Sequence, residues 1–204
     1  LGQTQPEFAD LMSDYRITQA VGELENGLKL SKIAKETGKK IKIHIKIDTG
    51  MSRTGFYWPD EDCELKNKTA EEIKTLCELP GLEHEGIFTH FAAADSDENY
   101  TRLQIKKFND AVKTLSEMGV NFKIKHAAAS VGVLNFPEAH FDMGRFGLVL
   151  YGYASTETGN EDSDLDLHPV MKVKAKITAV RNLPAGTTIS YGRTYTLKRD
   201  SKIA

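Results

Sequence analysis

"IKIHIKIDTGMSRTG", residues 41–55, sets the class of fold. Ile41, Ile43, Ile45 and Ile47 take every second place, and Lys42, His44, Lys46 and Asp48 fill the others. A period of two predicts a β-strand, and β-branched isoleucine suits a pleated surface. Asp48-Thr49-Gly50 then reads as a turn. The isoleucine face must pack on something. The other face meets water or lines a pocket, and the flanking sequence bears on which.

Upstream, "ITQAV" (17–21) is a short apolar run that fits a strand. Residues 23–37 carry helix formers, with Leu24 and Leu28 four apart and Gly38 as a stop. Downstream, Thr69-Ala70-Glu71-Glu72 has the capping-box pattern and predicts a helix with Ile73, Leu76 and Cys77 on its apolar face. Pro80-Gly81 ends it. "HEGIFTHF" (84–91) reads as a buried strand. A longer helix is predicted over 98–118, with Leu103, Phe108, Ala111, Val112, Leu115 and Met118 at three- and four-residue spacing and Gly119 closing it. "FKIKHAAAS" (122–130) and "GRFGLVLYGY" (144–153) are the last strands of this set.

Strands and helices alternating with short links mean βα units and a parallel sheet, hence the α/β class. Such strands are usually buried on both faces, so their polar side chains need partners or a ligand. In parallel α/β folds, ligands sit at the carboxyl ends of the strands. Here those ends carry Asp48 to Arg53, His90, Ser130, and Arg145 to Gly147. From about residue 165 the pattern turns β-branched and alternating, with Pro184 and Gly186 as turn residues, which predicts the start of an all-β domain. "STETGNEDSDLDL" (155–167) is acidic and polar, as expected of an exposed linker.

With 204 residues the chain can bury one sizeable core, or one domain and part of another. A net charge of −2 gives no electrostatic case for nucleic acid. No apolar run approaches the roughly 20 residues of a membrane helix, and no signal peptide opens the chain. Two cysteines, Cys63 and Cys77, make neither a disulfide framework nor a metal cluster, and fit reduced thiols in a cytoplasmic protein. The histidines show no metal-ligand spacing. There is no P-loop, no dinucleotide glycine fingerprint and no elbow-type serine. The chain starts at Leu1 rather than methionine and stops on strand-like "SKIA". Both ends are therefore expected to be cut from something longer.

The strand-end groups suit an anionic, aromatic ligand. Ser130, before a short helix, is either a simple cap or a phosphate contact. Gly147 would let the backbone approach a ligand closely. Arg53 and Arg145 are permanent cations that can donate to ligand acceptors, although Arg53 could equally pair with Asp48. His90 can stack on a ring or be a satisfied core histidine. Lys42 and His44 are expected to pack or pair, and Tyr57, Trp58 and Pro59 to pack as a loop.

Four stretches, in order, resemble the alanine racemase family of pyridoxal-phosphate enzymes. "IKIDTGMSRTGF" is similar to its K-x-D-T-G-M-x-R-x-G stretch, and "EGIFTHFAAAD" to its E-G-x-x-T-H-F-A-x-A-D strand. "HAAASVGVLNFPEAHFDMGRFGLVLYG" is similar to its H-x-A-N-S…M-x-R-x-G-x-x-L-Y-G run, and "ISYGRTY" to its V-S-Y-G-x-T-Y motif. The resemblance implies a partial TIM-type (β/α)8 barrel, about strands 4 to 8, over residues 1–154. A linker over 155–167 and the first strands of a carboxyl-terminal β-domain over 168–204 would follow.

It also implies roles. Arg53 would reach the phenolic oxygen of pyridoxal 5′-phosphate and the substrate carboxylate. Lys46 matches a lysine that some members carbamylate and that holds this arginine. His90 would lie beside the cofactor ring. Ser130 with the amides of Gly147 and Leu148 would hold the phosphate. Arg145 would face the pyridine nitrogen and keep it unprotonated. Tyr191 matches a catalytic base that acts in the partner subunit of a homodimer. The implied reaction is interconversion of L- and D-alanine by two-base proton transfer, feeding D-alanine to the cell wall. Serine or broad-specificity racemases of the same family, or a non-catalytic cofactor-binding relative, are the alternatives.

The family's Schiff-base lysine lies in a K-A-N-A-Y-G-like stretch that this sequence does not contain. The 204 residues alone are therefore expected to be inactive. Ala129 stands where the family often has asparagine, and Ser52 where glycine is common.

Overall fold

A computed structural model describes residues 2–153 and 165–204. Residues up to His168 form one compact unit and Pro169–Ala204 a second. In the first unit, a short helix α1 (Ala9–Asp14) precedes β1 (Gln19–Val21), α2 (Leu24–Thr37) and β2 (Ile41–Asp48). Then come β3 (Phe56–Tyr57), α3 (Cys63–Cys77), β4 (Leu82–Phe88), α4 (Glu98–Glu117), β5 (Ile124–His126) and α5 (Ser130–Asn135). The sheet order is β1-β2-β4-β5, all parallel, with β3 joined to the end of β2.

The alternation in β2 does what its period implies. All four isoleucines are buried in one core with Leu30 of α2, Ile73 and Leu76 of α3, and Phe108, Ala111 and Leu115 of α4. Gly27 lets α2 approach α3 closely, since a Cβ there would lie 1.9 Å from Leu76 Cδ1. Trp58 is fully buried, and its indole N–H donates to Asp110 of α4 at 2.9 Å. The loop after β3 is thereby tied to the helix layer.

Several expectations shift. α2 buries Gly27, Leu30 and Ala34, while Leu28 is half exposed and points outward. α3 starts six residues before the predicted capping box. Asp62 caps it, accepting from the amide of Leu65 at 2.9 Å, and Thr69 lies inside the helix with its hydroxyl donating to the Tyr57 carbonyl. The predicted strand over 144–153 does not form. Its only ladder contact among the described residues is a bridge between Ala129 and Arg145, and Leu148–Tyr151 winds into a 3-10 turn with Leu150 and Tyr151 exposed. Apolar content alone cannot make a strand without a neighbour to complete its hydrogen bonds.

The first unit is thus an arc of a TIM-type (β/α)8 barrel, with four parallel barrel strands among the described residues. In the second unit, β6 (Arg181–Leu183) pairs antiparallel with β9 (Ser201–Ile203), and β7 (Thr188–Ile189) with β8 (Tyr195–Thr196). The all-β expectation holds for 181–204, with one 3-10 turn at Tyr191–Arg193. The alternating stretch at 171–180 forms no strand, and Met171, Val173 and Ile177 are exposed. Residues 154–164, most of the expected linker, lie outside the described residues. Among the described residues no helix is long and apolar enough to cross a membrane.

Candidate active site

Parallel strands bring their carboxyl ends to one rim, and the polar residues named above collect there. Two hollows meet on this rim. One, of about 290 Å³, is lined by Lys46, Arg53, Phe88, His90, Ala129, Arg145 and Phe146. The other, of about 350 Å³, includes Met51, His90, Ser130, Arg145, Gly147 and Leu148 in its wall. His90, Ala129 and Arg145 are common to both. All the predicted site residues of the first unit are therefore gathered. Tyr191 belongs to the second unit, where its side chain is 99% exposed.

Arg145 is the centre. Its Nη1 lies 2.6 Å from His126 Nδ1, and its Nη2 donates to the carbonyls of Thr89 at 2.8 Å and Ala127 at 2.7 Å. Nη2 also lies 3.1 Å from His90 Nδ1. The guanidinium carbon stands 5.4 Å from the Phe88 ring centre. Among the described residues no carboxylate pairs with Arg145. Burial brings its pKa down to about 10, so it remains a cation at neutral pH. A guanidinium has donors only, so His126 presents a bare Nδ1 to Nη1 and carries its single proton on Nε2, while the two hydrogens of Nη2 go to the Thr89 and Ala127 carbonyls with His90 Nδ1 alongside. Burial first, and then the Arg145 charge, push His90 down to about 4 and His126 to about 3. Both rings are neutral.

The lip after β2 is built on Asp48, whose Oδ1 accepts the amides of Gly50 and Ser52, each at 3.0 Å. The alternative of an Asp48–Arg53 ion pair is not realised among the described residues. Asp48 is occupied by its own turn. Ser52 has φ +54°, a backbone region that favours glycine and accounts for glycine's suitability at this position. Lys46 is buried, and its Nζ donates to Thr54 Oγ1 at 2.6 Å. Burial and the nearby Arg53 charge lower its pKa.

Ser130 opens α5 and is buried. Its Oγ accepts the amides of Gly147 at 2.9 Å and Val149 at 3.3 Å. The Ser130 hydroxyl and the 147–149 turn are thus one substructure. A Cβ built on Gly147 would meet nothing nearer than Ser130 Oγ at 4.0 Å, so a ligand oxygen has room against this backbone.

Sequence reasoning gave no separate weight to His126, Thr89 or Gln104. Gln104 is fully buried on the apolar stripe of α4. Its amide donates to Thr49 Oγ1 and to the His90 carbonyl, and its oxygen accepts the Ala92 amide at 2.9 Å. Thr49 and Thr89 share a hydrogen bond of 2.7 Å. The signal available was a glutamine at a core position of an amphipathic helix, which requires buried partners.

The cation Arg145, two neutral histidines and the open backbone turn at Gly147 thus share one rim of a partial barrel. The family descriptions "Alanine racemase, N-terminal domain" and "Alanine racemase, C-terminal domain" match residues 1–155 and 170–204. The chain belongs to the alanine racemase family. It is 40% identical over its whole length to the alanine racemase of Desulforamulus reducens, of which it covers 53%. The solved alanine racemase of Clostridium difficile 630 superposes with a TM-score of 0.79 at 35% identity, over 99% of this chain and 51% of that one. A histidine racemase from Leuconostoc mesenteroides subsp. sake gives 0.72 at 26% identity, over 99% and 52%. The chain spans about half the length of the curated relatives it matches.

Proposed function

We propose that this rim binds pyridoxal 5′-phosphate and serves the interconversion of L- and D-alanine in the complete protein. The observation that carries the reading is Arg145, a cation without a carboxylate partner among the described residues, backed by acceptors and lining both hollows. Its donors suit an unprotonated ring nitrogen, because a guanidinium does not give up its proton at neutral pH. The room at Gly147, beside the Ser130 hydroxyl and the Leu148 amide, suits the phosphate.

When bound, the cofactor delocalises the electron pair left as the α-proton departs. The chain's own residues orient and exchange protons. Arg53, on the exposed lip, draws in the substrate carboxylate and the cofactor's phenolic oxygen. Neutral His90 borders the ring without adding charge. Lys46, disposed toward its neutral amine by burial, can take up carbon dioxide as an anionic carbamate and release a proton. The carbamate would counter the Arg53 charge. Racemisation needs an acid and a base on opposite faces of the α-carbon. Tyr191 is read as one of them, serving the site of a partner subunit in a homodimer. The other is the lysine whose motif this sequence does not contain, so these residues alone are expected to be inert.

We read 1–154 as barrel, 155–167 as linker and 168–204 as the start of the β-domain, in a cytoplasmic enzyme supplying D-alanine for the wall. Likeness to a histidine racemase, together with Ala129 in place of asparagine, favours a second reading in which another amino acid, such as serine, is the substrate. The test is the full-length protein with L-alanine and other L-amino acids in deuterated water. Deuterium at the α-carbon with D-alanine formed fastest supports the reading. Faster turnover of another amino acid selects the second, and no exchange with any overturns both.

A further inference from the structure

Behind Arg145 a row of side chains runs down the inner face of the sheet. His126 Nδ1 lies 2.6 Å from Arg145 Nη1, and His126 Nε2 lies 2.9 Å from His44 Nδ1. His44 Nε2 faces Glu85 Oε2 at 3.6 Å, and Glu85 Oε1 accepts from Lys42 Nζ at 2.9 Å. The direction of this row is forced. Arg145 can only donate, so His126 Nδ1 accepts and its proton sits on Nε2. That proton can only go to His44 Nδ1. His44 then carries its own proton on Nε2, aimed at the Glu85 carboxylate. His44 Nε2 is buried with no hydrogen-bond partner within ordinary range among the described residues, and the carboxylate is the charge it meets.

The seat of His44 is built for it. In the β2–β4 register His44 lies opposite Gly86, where the ladder shifts by one residue. A Cβ on Gly86 would lie 2.7 Å from His44 Nε2 and 2.8 Å from its Cε1. The His126 ring in turn stacks on Phe88, with centres 4.7 Å apart and planes 5° from parallel. The charged and titratable groups against the two rings are Arg145, Glu85 and Lys42, and burial is the largest cause lowering the pKa of both, His126 to about 3.

We propose that His44 and Glu85 are positioning residues for Arg145: they hold His126 in a single tautomer and so fix the guanidinium, leaving its Nε–H and one Nη1–H for the ligand. This rests on the reading of Arg145 given above. His126 alone could rotate or exchange tautomers. With His44 accepting its proton and Glu85 orienting His44, reversal would set an N–H against a guanidinium.

The test uses full-length protein labelled with ¹⁵N-histidine. Long-range ¹H–¹⁵N spectra should show His44 and His126 neutral, both with the proton on Nε2. An Nδ1–H tautomer or an imidazolium at either ring near pH 7 overturns the proposal. His44→Phe should lose the protected His126 Nε2–H signal. His44→Gln, whose carboxamide can accept from His126 and donate to Glu85, should keep it. In racemisation assays His44→Phe should lower kcat roughly tenfold or more, the scale of lost outer support. KM should change little, and His44→Gln should recover most of the loss. Equal behaviour of the two variants overturns the proposal, as does an unchanged kcat in His44→Phe. Should His44→Phe not fold, Glu85→Gln serves instead. Faster exchange of the His44 Nε2–H together with a lower kcat supports the proposal, and wild-type values overturn it. The spectra need no cofactor, so they can fail while the racemase reading stands, and hold while it falls.

Discussion

The hydroxyl of Ser130 accepts the amide N–H of Gly147 at 2.9 Å and so ties the start of α5 to the turn that follows Arg145. Val149 donates to the same oxygen. Ser130→Ala would leave two amides short of an acceptor, at a cost of about 1–3 kcal/mol. The urea midpoint should fall accordingly. Affinity for pyridoxal 5′-phosphate, followed by fluorescence quenching of Trp58, should weaken more than affinity for free pyridoxal, which has no phosphate. Equal weakening of both would argue against a phosphate role.

Lys46 donates to Thr54, and no carboxylate pairs with it among the described residues. Its lowered pKa leaves more free amine near neutral pH than an exposed lysine would have. With ¹³C-bicarbonate, a lysyl carbamate resonance is expected and should vanish in Lys46→Arg. The signal should weaken as pH falls, because protonation removes the reacting lone pair. Absence of the resonance in wild type would remove the carbamate from the site.

Acid should destabilise the rim early. His126 has a folded pKa of about 3, and an unfolded histidine sits near 6.5. Below about 6.5 the unfolded state therefore binds a proton that the native state refuses. Stability falls as pH drops, by up to about 1.4 kcal/mol per pH unit for this buried ring, and levels off near its folded pKa. His90, held at about 4, acts in the same direction. Denaturant titrations between pH 7 and 4 should show the slope, and His126→Gln should flatten it.

Gly55 has φ +124°, and a Cβ there would lie 2.9 Å from the Asp48 amide nitrogen and 3.0 Å from the Lys46 carbonyl. Gly55→Ala combines strained backbone with a backbone clash. It should cost more than about 1 kcal/mol and loosen the Lys46–Thr54 contact. A lower urea midpoint with faster amide exchange over 48–56 is the expected result.

Cys77 is buried on α3, and burial pushes its thiol up to about 12, whereas Cys63 is exposed at the start of the same helix. A disulfide reagent should modify Cys63 rapidly in native protein and Cys77 only after denaturation. Rapid modification of both would mean that α3 is not seated on the sheet.

The class of fold was legible from one strand. Period two in 41–48, followed by helical spacing in 98–118, is a local property of side-chain direction, and the α/β arc follows from it. The motifs likewise marked Arg53, His90, Ser130 and Arg145 as residues of one rim. Local pattern failed where pairing mattered. Residues 144–153 and 171–180 look like strands, but a strand is completed by its neighbour's backbone, and among the described residues the first has a single bridge at Arg145 and the second forms no strand.

By itself, then, the sequence determined the alternation of elements, the buried isoleucine face and the family motifs. Only the tertiary structure decided what the polar face of "IKIHIKID" meets. Lys42 reaches Glu85, Lys46 reaches Thr54, and His44 meets His126, 82 residues away along the chain. Such contacts depend on strand register and on a glycine opposite the ring. The tautomers follow from a donor-only guanidinium at the end of the row. Spacing within one segment reports which side a residue faces, while its hydrogen-bond partner is set by where the next strand aligns.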